Sequence, residues 1–265
     1  MKRIILFRFH KNLDVCRNKL QILRHFNPDV KIYGMFGGDE NSLNKFKKGL
    51  GFHLEHIYLI KGKSPKWKWF NCDLAVNMWY KDYGHKLDFD MLYIVEWDEL
   101  LLTSLAKAYS NVPKNSLGLT ALTPLDKAKD HWNWTSKEPY KSRWIRFMKI
   151  VKDRYGYDSK PYGCIFGGTC LPKSFLERYS KERIPQLCHD EIRVPVYAQI
   201  YGFKLFNNGF VKKFYDKTDS QFFHAFNNEI SDIKINAELK KIKGRRVFHP
   251  YRRPFPLGKL KKIEP

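Results

Sequence analysis

Glu96 and Asp98 stand one residue apart, divided by Trp97, at the end of the apolar run at 91–95 in a chain whose formal net charge is +22. Extended backbone has a side-chain period of two, so the two acids would face one side and Trp97 the other. Two carboxylates on one side suit a hard divalent cation, and Mg2+ or Mn2+ is commonly held by one or two carboxylates together with substrate phosphates. A metal and a diphosphate would then neutralise acids placed at the end of a buried strand. The competing explanation is local: Asp98 or Glu99 caps a helix made from "ELLLTSLAKAY", and Glu96 is simply solvated.

The elements before the pair favour the metal. Residues 4–9, "IILFRF", predict a buried strand; Leu13, Cys16, Leu20, Leu23 and Phe26 predict one face of a helix ended by Pro28. "VKIYGMFGG" predicts a second strand, Leu43, Phe46 and Leu50 a short helix, and "HIYLI" a third strand. This alternation is that of a parallel sheet covered by helices. A long helix is expected from 65 to 83, closed by Gly84 as its C-terminal cap. The apolar run at 91–95 fits a strand covered on both faces, and ligands of open α/β sheets collect beyond the carboxyl ends of such strands. After residue 110 the pattern loosens: "LGLTALTPL" reads as a strand, "DHWNWTSKEPYKSRWIRFMKI" as aromatic and partly helical, and "GCIFGGTCLPKSFLERY" as strand, glycine turn and helix.

The chain of 265 residues is 43% hydrophobic and 16% aromatic, enough for a substantial core. Its charge predicts attraction to polyanions: nucleic acid, an anionic membrane or phosphate-bearing substrates. Ten Lys/Arg and no acid lie between Lys240 and Lys262, and Lys61, Lys63, Lys66 and Lys68 cluster beside Trp67 and Trp69. The basic C-terminal segment reads as a docking surface or as a solvated basic face. The five cysteines are odd in number and form no C-x-x-C pair, which fits a reducing compartment. The N-terminal apolar run is too short for a signal peptide core, and no window approaches the ~18 to 20 apolar residues of a transmembrane helix. The expectation is a cytoplasmic protein whose membrane contact, if any, is peripheral.

Three alternating strands followed by an apolar strand ending in an acid-x-acid triplet resemble the GT-A glycosyltransferases, whose D-x-D motif binds the metal and the diphosphate of a nucleotide sugar. The triplet here departs from that pattern as Glu96-Trp97-Asp98. The resemblance implies an α/β fold of GT-A type, with a Rossmann-like, mostly parallel central sheet flanked by helices in a single domain. It implies a donor-binding half over 1–110, an acceptor-binding and catalytic half over 111–250 and the basic tail over 251–265. It carries Asp98 over as the direct metal ligand and the late histidine of "VFHP", His249, as a second, with His224 of "SQFFHAF" competing. Phe7, Arg8, Asp73, Glu96, Trp97, Gly167 and Gly168 fall to donor binding, the glycines allowing close approach of backbone to ligand. In "HDEIRVPVYAQIYGF" it implies that Asp190, or else Glu191, deprotonates the acceptor hydroxyl; as bare sequence, the same acids read as a helix N-terminal cap. Trp132 and Trp134 read as core residues or as platforms for sugar rings.

The function so implied is transfer of a sugar from a nucleoside diphosphate sugar (UDP- or GDP-sugar) to a hydroxyl of an oligosaccharide, polysaccharide or glycolipid, dependent on Mn2+ or Mg2+ and inverting at the anomeric carbon, with no nucleic acid partner. A retaining enzyme of the same fold is the nearest variant. A nucleic-acid-binding protein or metal-dependent nuclease is the alternative from another class, using the charge for phosphates and Glu96 and Asp98 for metal.

Overall fold

The computed structural model describes residues 1–214 and 216–263; Tyr215 and the last two residues of the basic tail, Glu264 and Pro265, lie outside the described residues. The first half runs β1 (Arg3–Phe9), α1 (Leu13–Phe26), β2 (Lys31–Phe36), α2 (Leu43–Leu50), β3 (Ile57–Leu59), α3 (Pro65–Phe70), α4 (Cys72–Asp82) and β4 (Met91–Glu96). It continues with β5 (Leu100–Leu101), α5 (Leu105–Ala108), β6 (Leu117–Pro124), α6 (Asn133–Ser136), α7 (Tyr140–Tyr155) and β7 (Tyr162–Pro172). The remainder is α8 (Lys173–Lys181), α9 (Asp190–Ile200), β8 (Leu205–Asn207), α10 (Asp232–Leu239) and β9 (Val247–Phe248).

Seven strands form one sheet in the order β3-β2-β1-β4-β7-β6-β8. The pairings β3–β2, β2–β1, β1–β4 and β6–β8 are parallel, and β7 alone runs against its neighbours. This is the mostly parallel, helix-flanked sheet the alternation predicts. The period of two divides β1 and β4 between two cores. Ile4, Leu6, Leu92 and Ile94 pack with α4, α8 and α9 on one face, whereas Ile5, Phe7, Phe9, Tyr93 and Val95 pack with α1 and α2 on the other. A third cluster joins Ile22 and Phe26 of α1 to Leu100, Phe248, Tyr251, Phe255 and Leu260. The basic tail is therefore folded onto α1 through its apolar residues, while Lys259, Lys261 and Lys262 stay exposed. All five cysteines are free and buried, and among the described residues no helix is long and apolar enough to cross a membrane.

Four local expectations are corrected. The helix expected over 65–83 breaks at Asn71, whose φ of −127° and ψ of 49° are not helical. There Arg193 Nη2 donates to Asn71 Oδ1 at 3.0 Å, and the Cys72 N–H leaves the helical ladder to donate to Asp190 Oδ2 at 2.8 Å. Gly84 is not in the left-handed conformation of a cap. A Cβ there would come within 2.7 Å of the Trp79 ring, so close packing accounts for the glycine. "GCIFGGTC" makes no turn: it lies within β7 as a bulge, where the register to β6 slips between Gly118↔Cys170 and Thr120↔Ile165. Finally, the segment after Asp98 begins not as a helix but as β5, paired antiparallel with β9.

Candidate active site

Arg8 and Glu96 are register partners at the carboxyl ends of β1 and β4 and project from the same sheet face, so their ion pair is cross-strand: Arg8 Nη1 donates to Glu96 Oε1 at 2.9 Å. The strand ends at Glu96 and a turn holds Trp97 and Asp98. The β5–β9 pairing sets Leu100 against Phe248, and Tyr251 N–H donates to the Asp98 carbonyl at 2.7 Å, which carries His249 alongside Asp98. Glu96, Asp98 and His249 each present one ligand atom, all within 4.8 Å of one another. His249 Nε2 lies 3.4 Å from Asp98 Oδ1 and 3.9 Å from Glu96 Oε2.

These residues fit a divalent cation. Asp98 Oδ1 is buried and without a hydrogen-bond partner, its contact with His249 being poorly aligned for one. His249 Nδ1 is 2.7 Å from the His224 carbonyl, so that nitrogen carries the proton and Nε2 is left as the donor atom toward the carboxylates. Two carboxylate oxygens and one imidazole suit Mg2+ or Mn2+. Burial alone would raise the Asp98 pKa, but His249 and Arg252 overrule it and hold the carboxyl well below its usual range. Conversely, burial opposes the charged form of His249, yet Asp98, Glu96 and Glu99 push it up to about 9. Glu99, sealed behind them, is raised to about 8 by burial, and its Oε1 has no partner.

Beyond the carboxyl ends of β1, β2 and β4 lies a cavity of about 230 Å³, whose lining includes Arg8, His10, Lys68, Trp69, Glu96 and Trp97. This is the topological switch point of the sheet, because the chain leaves β1 toward β2 on one side and reaches β4 on the other. Lys68 Nζ sits 3.0 Å from the Gly37 carbonyl and 3.3 Å from that of Gly38. Two cations and an exposed tryptophan at the mouth suit an anionic ligand with a flat ring. A larger cavity of about 430 Å³ is lined by His224, Lys217, Phe226, Glu229 and Lys234 among others. It contains no member of the triad, so we place the chemistry at the smaller one.

A second acid pair begins α9. His189 caps the helix, its Nδ1 lying 2.8 Å from Asp190 Oδ1 and 3.4 Å from the Glu191 N–H. As the cap, Nδ1 accepts from the Glu191 N–H, with Asp190 Oδ1 in close contact beside it; burial works against the imidazolium, but Asp190 and Glu191 raise its pKa above the ordinary value. Asp190 is fully buried, and despite burial its pKa is lowered by His189, Arg193 and Arg8. Glu191 keeps 8% exposure, accepts from Trp134 Nε1 at 2.8 Å, and is pushed up to about 7 by burial, with His189 opposing. Trp134 stacks on His189 at 4.2 Å, and Trp69 touches both rings. Arg8 joins the two acid groups: one guanidinium nitrogen bonds Glu96, another the Cys72 thiol, and Cys72 N–H holds Asp190.

The structure thus brings together Arg8, Glu96, Asp98 and His249, with Asp190 and Glu191 across Arg8. Trp97 lines the cavity but its ring is buried against His10 and Lys11. Phe7 is not brought to the cavity, because its odd position in β1 turns it into the core under α1. Nor is Asp73: Arg193 Nε and Nη2 take its two oxygens at 2.7 and 2.5 Å, and the Tyr179 hydroxyl donates to it as well. The Gly167 carbonyl is held by Thr120, and that of Gly168 by Tyr109 and Asn208, so these glycines shape the bulge through backbone bonds. Trp132 packs on Phe214 and against Gly163. His224 supplies its carbonyl to His249 and not its ring, whose Nδ1 accepts from Phe226 N–H. Sequence reasoning missed Arg252, Cys72, Lys68 as a cavity residue, and Glu99 as a buried acid. A lysine cluster and the third acid of "EWDE" marked two of these; nothing marked Arg252 or Cys72.

No protein-family model matches the chain, and no curated protein matches it in sequence. Solved structures similar to it include mouse xyloside xylosyltransferase 1 in its apo form, at 13% identity and a TM-score of 0.37 over 77% of this chain and 83% of that one. They include the galactosyltransferase LgtC with donor and acceptor sugar analogues, at 14% identity and a TM-score of 0.41 over 83% and 74% of the two chains. An active-site mutant of LgtC gives 14% identity and a TM-score of 0.44 over 98% and 94%. At this level of likeness the functional reading rests on the geometry of the site.

Proposed function

We propose that the chain is a metal-dependent glycosyltransferase, a hexosyl- or pentosyltransferase that moves a sugar from a nucleoside diphosphate sugar to a hydroxyl of a glycan or glycolipid with inversion. The observation that carries this is the convergence of Glu96, Asp98 and His249, with Glu96 itself lining a switch-point cavity that also presents Arg8 and Lys68. A divalent cation bound there supplies Lewis-acid stabilisation of the departing diphosphate. Arg8 and Lys68 add fixed positive charge toward the same phosphates, and Trp69 offers its exposed face to a ring.

Attack by a hydroxyl requires a base within hydrogen-bond reach of that oxygen. Of the two acids assigned to that role, Glu191 is the better placed: it is reachable from solvent, and its pKa, raised by burial to about 7, suits a base working at neutral pH. Asp190, enclosed by Cys72 and His189, fixes the start of α9 and so acts as a positioning residue for Glu191. The exposed Lys259, Lys261 and Lys262 support peripheral contact with an anionic membrane from the cytoplasmic side.

The first test is a thermal-shift panel of UDP, GDP, CMP and dTDP with Mn2+ or EDTA, on wild type and Asp98→Asn. Stabilisation by a diphosphate only with metal, lost in Asp98→Asn, is the expected result. Stabilisation by an oligonucleotide and by no nucleotide would replace this reading with the nuclease one. The anomeric configuration of the product, read by NMR, then separates inversion from retention.

A further inference from the structure

Each carboxylate of the triad is divided in the same way. Glu96 gives Oε1 to Arg8 at 2.9 Å and turns Oε2 toward His249. Asp98 gives Oδ2 to Arg252 Nε at 3.0 Å and turns Oδ1 toward His249. Neither arginine is free to swing away. Arg252 Nη1 donates to the Asn227 carbonyl at 2.7 Å and its backbone N–H to Glu229 Oε2 at 3.0 Å, while Arg8 is fixed on its other side by Cys72 and lies over the Phe166 ring. The outward oxygens are thus committed and one inward oxygen of each acid remains. The two guanidinium groups balance the two carboxylates, so the pair of acids offers a cation no net negative charge, whereas cation affinity in oxygen sites is set largely by the count of ligand charges.

We propose that Arg8 and Arg252 clamp the outward oxygens of Glu96 and Asp98 so that the triad takes a divalent cation only together with an anionic ligand. The inference rests on the metal reading above and adds to it the two positioning residues. With charge balanced by the arginines, a free divalent cation gains little from entering, and one-oxygen ligation from each acid leaves coordination positions for phosphate oxygens. Metal and diphosphate would then bind as mutually dependent ligands, each raising the affinity of the other by the same factor.

The test is calorimetric titration with Mn2+ alone and with the Mn2+–pyrophosphate complex, on wild type, Arg252→Gln, Arg252→Lys and Asp98→Asn. Wild type is expected to bind Mn2+ alone weakly and the complex well. Arg252→Gln should bind Mn2+ alone more tightly by on the order of tenfold, the effect of removing one positive charge a few ångströms from the cation, and should gain less from pyrophosphate. Arg252→Lys, which keeps the charge, should stay near wild type. Arg8→Gln opens the other clamp and should show the same gain, so the test survives if one variant does not fold. Mn2+ binding that is abolished by Asp98→Asn yet no tighter in either glutamine variant would overturn the clamp and leave the metal site standing. Absence of Mn2+ binding in every protein, with and without pyrophosphate, would overturn both.

Discussion

Arg193→Met should be one of the most damaging single substitutions in this chain, although Arg193 touches neither the cavity nor the triad. Its guanidinium is fully buried and donates twice to Asp73, once to Asn71 Oδ1 at 3.0 Å and once to the Cys188 carbonyl at 2.7 Å. Methionine fills comparable volume but leaves the Asp73 carboxylate buried, with the Tyr179 hydroxyl as its remaining side-chain donor. Removing one partner of a buried ion pair costs about 3 to 5 kcal/mol. At about 2 to 4 °C per kcal/mol for a chain of this size, the melting temperature should fall by roughly 6 to 20 °C. Urea unfolding followed by circular dichroism measures the loss. Asp73→Leu combined with Arg193→Met removes both charges and should recover a large part of it. The reasoning fails if Arg193→Met costs less than about 1 kcal/mol while Asp73→Asn abolishes nucleotide stabilisation. That outcome would return Asp73 to the donor site and make the pair a functional one.

His249→Ala should weaken Mn2+ binding by at least the ~10- to 100-fold typical of outer-shell losses, whereas His224→Ala should change it little, since His224 contributes a backbone carbonyl; titration calorimetry separates them. Because the base must be ionised, transfer rates should rise with pH through about 7, the value to which burial pushes Glu191, and Glu191→Gln should remove that limb. The stability linkage has a definite sign. A carboxyl whose pKa is raised on folding contributes stability that is complete below its unfolded pKa and is lost as pH rises through about 7, so Glu191→Gln should lessen the fall in urea midpoint across that window. Gly168→Ala should cost about 1 to 3 kcal/mol, because φ there is +70° and a Cβ would sit 2.9 Å from the Phe210 ring; thermal unfolding reads it directly.

The parallel half of the fold was legible because strands buried on both faces are written as unbroken apolar runs, and the period of two in "IILFRF" and "MLYIVE" assigns each side chain to a face. That same period puts Phe7 on the face packed under α1. Long-range partners were not legible. The apolar periodicity of 65–83 continues across Asn71, and the break depends on Arg193 and Asp190, more than 100 residues away. "ELLL" has good helix formers, yet pairing with Val247–Phe248 overrides propensity. The sequence named His249 with His224 as its competitor; the strand pairing brings the His249 ring to Asp98 and leaves His224 holding that ring through its backbone carbonyl. Arg252 stood in a run of basic residues that read as a surface, and only the fold of the tail onto α1 reveals its bond to Asp98.

The small β5–β9 ribbon sets a schedule for maturation. Its register partners Leu101 and Val247 lie roughly 150 residues apart along the chain, so closing it carries the entropy cost of a long loop. During synthesis both acids of "EWD" are in the chain well before His249 is made. The two acids therefore precede the histidine along the chain, and the grouping of Glu96, Asp98 and His249 is complete only when the ribbon closes.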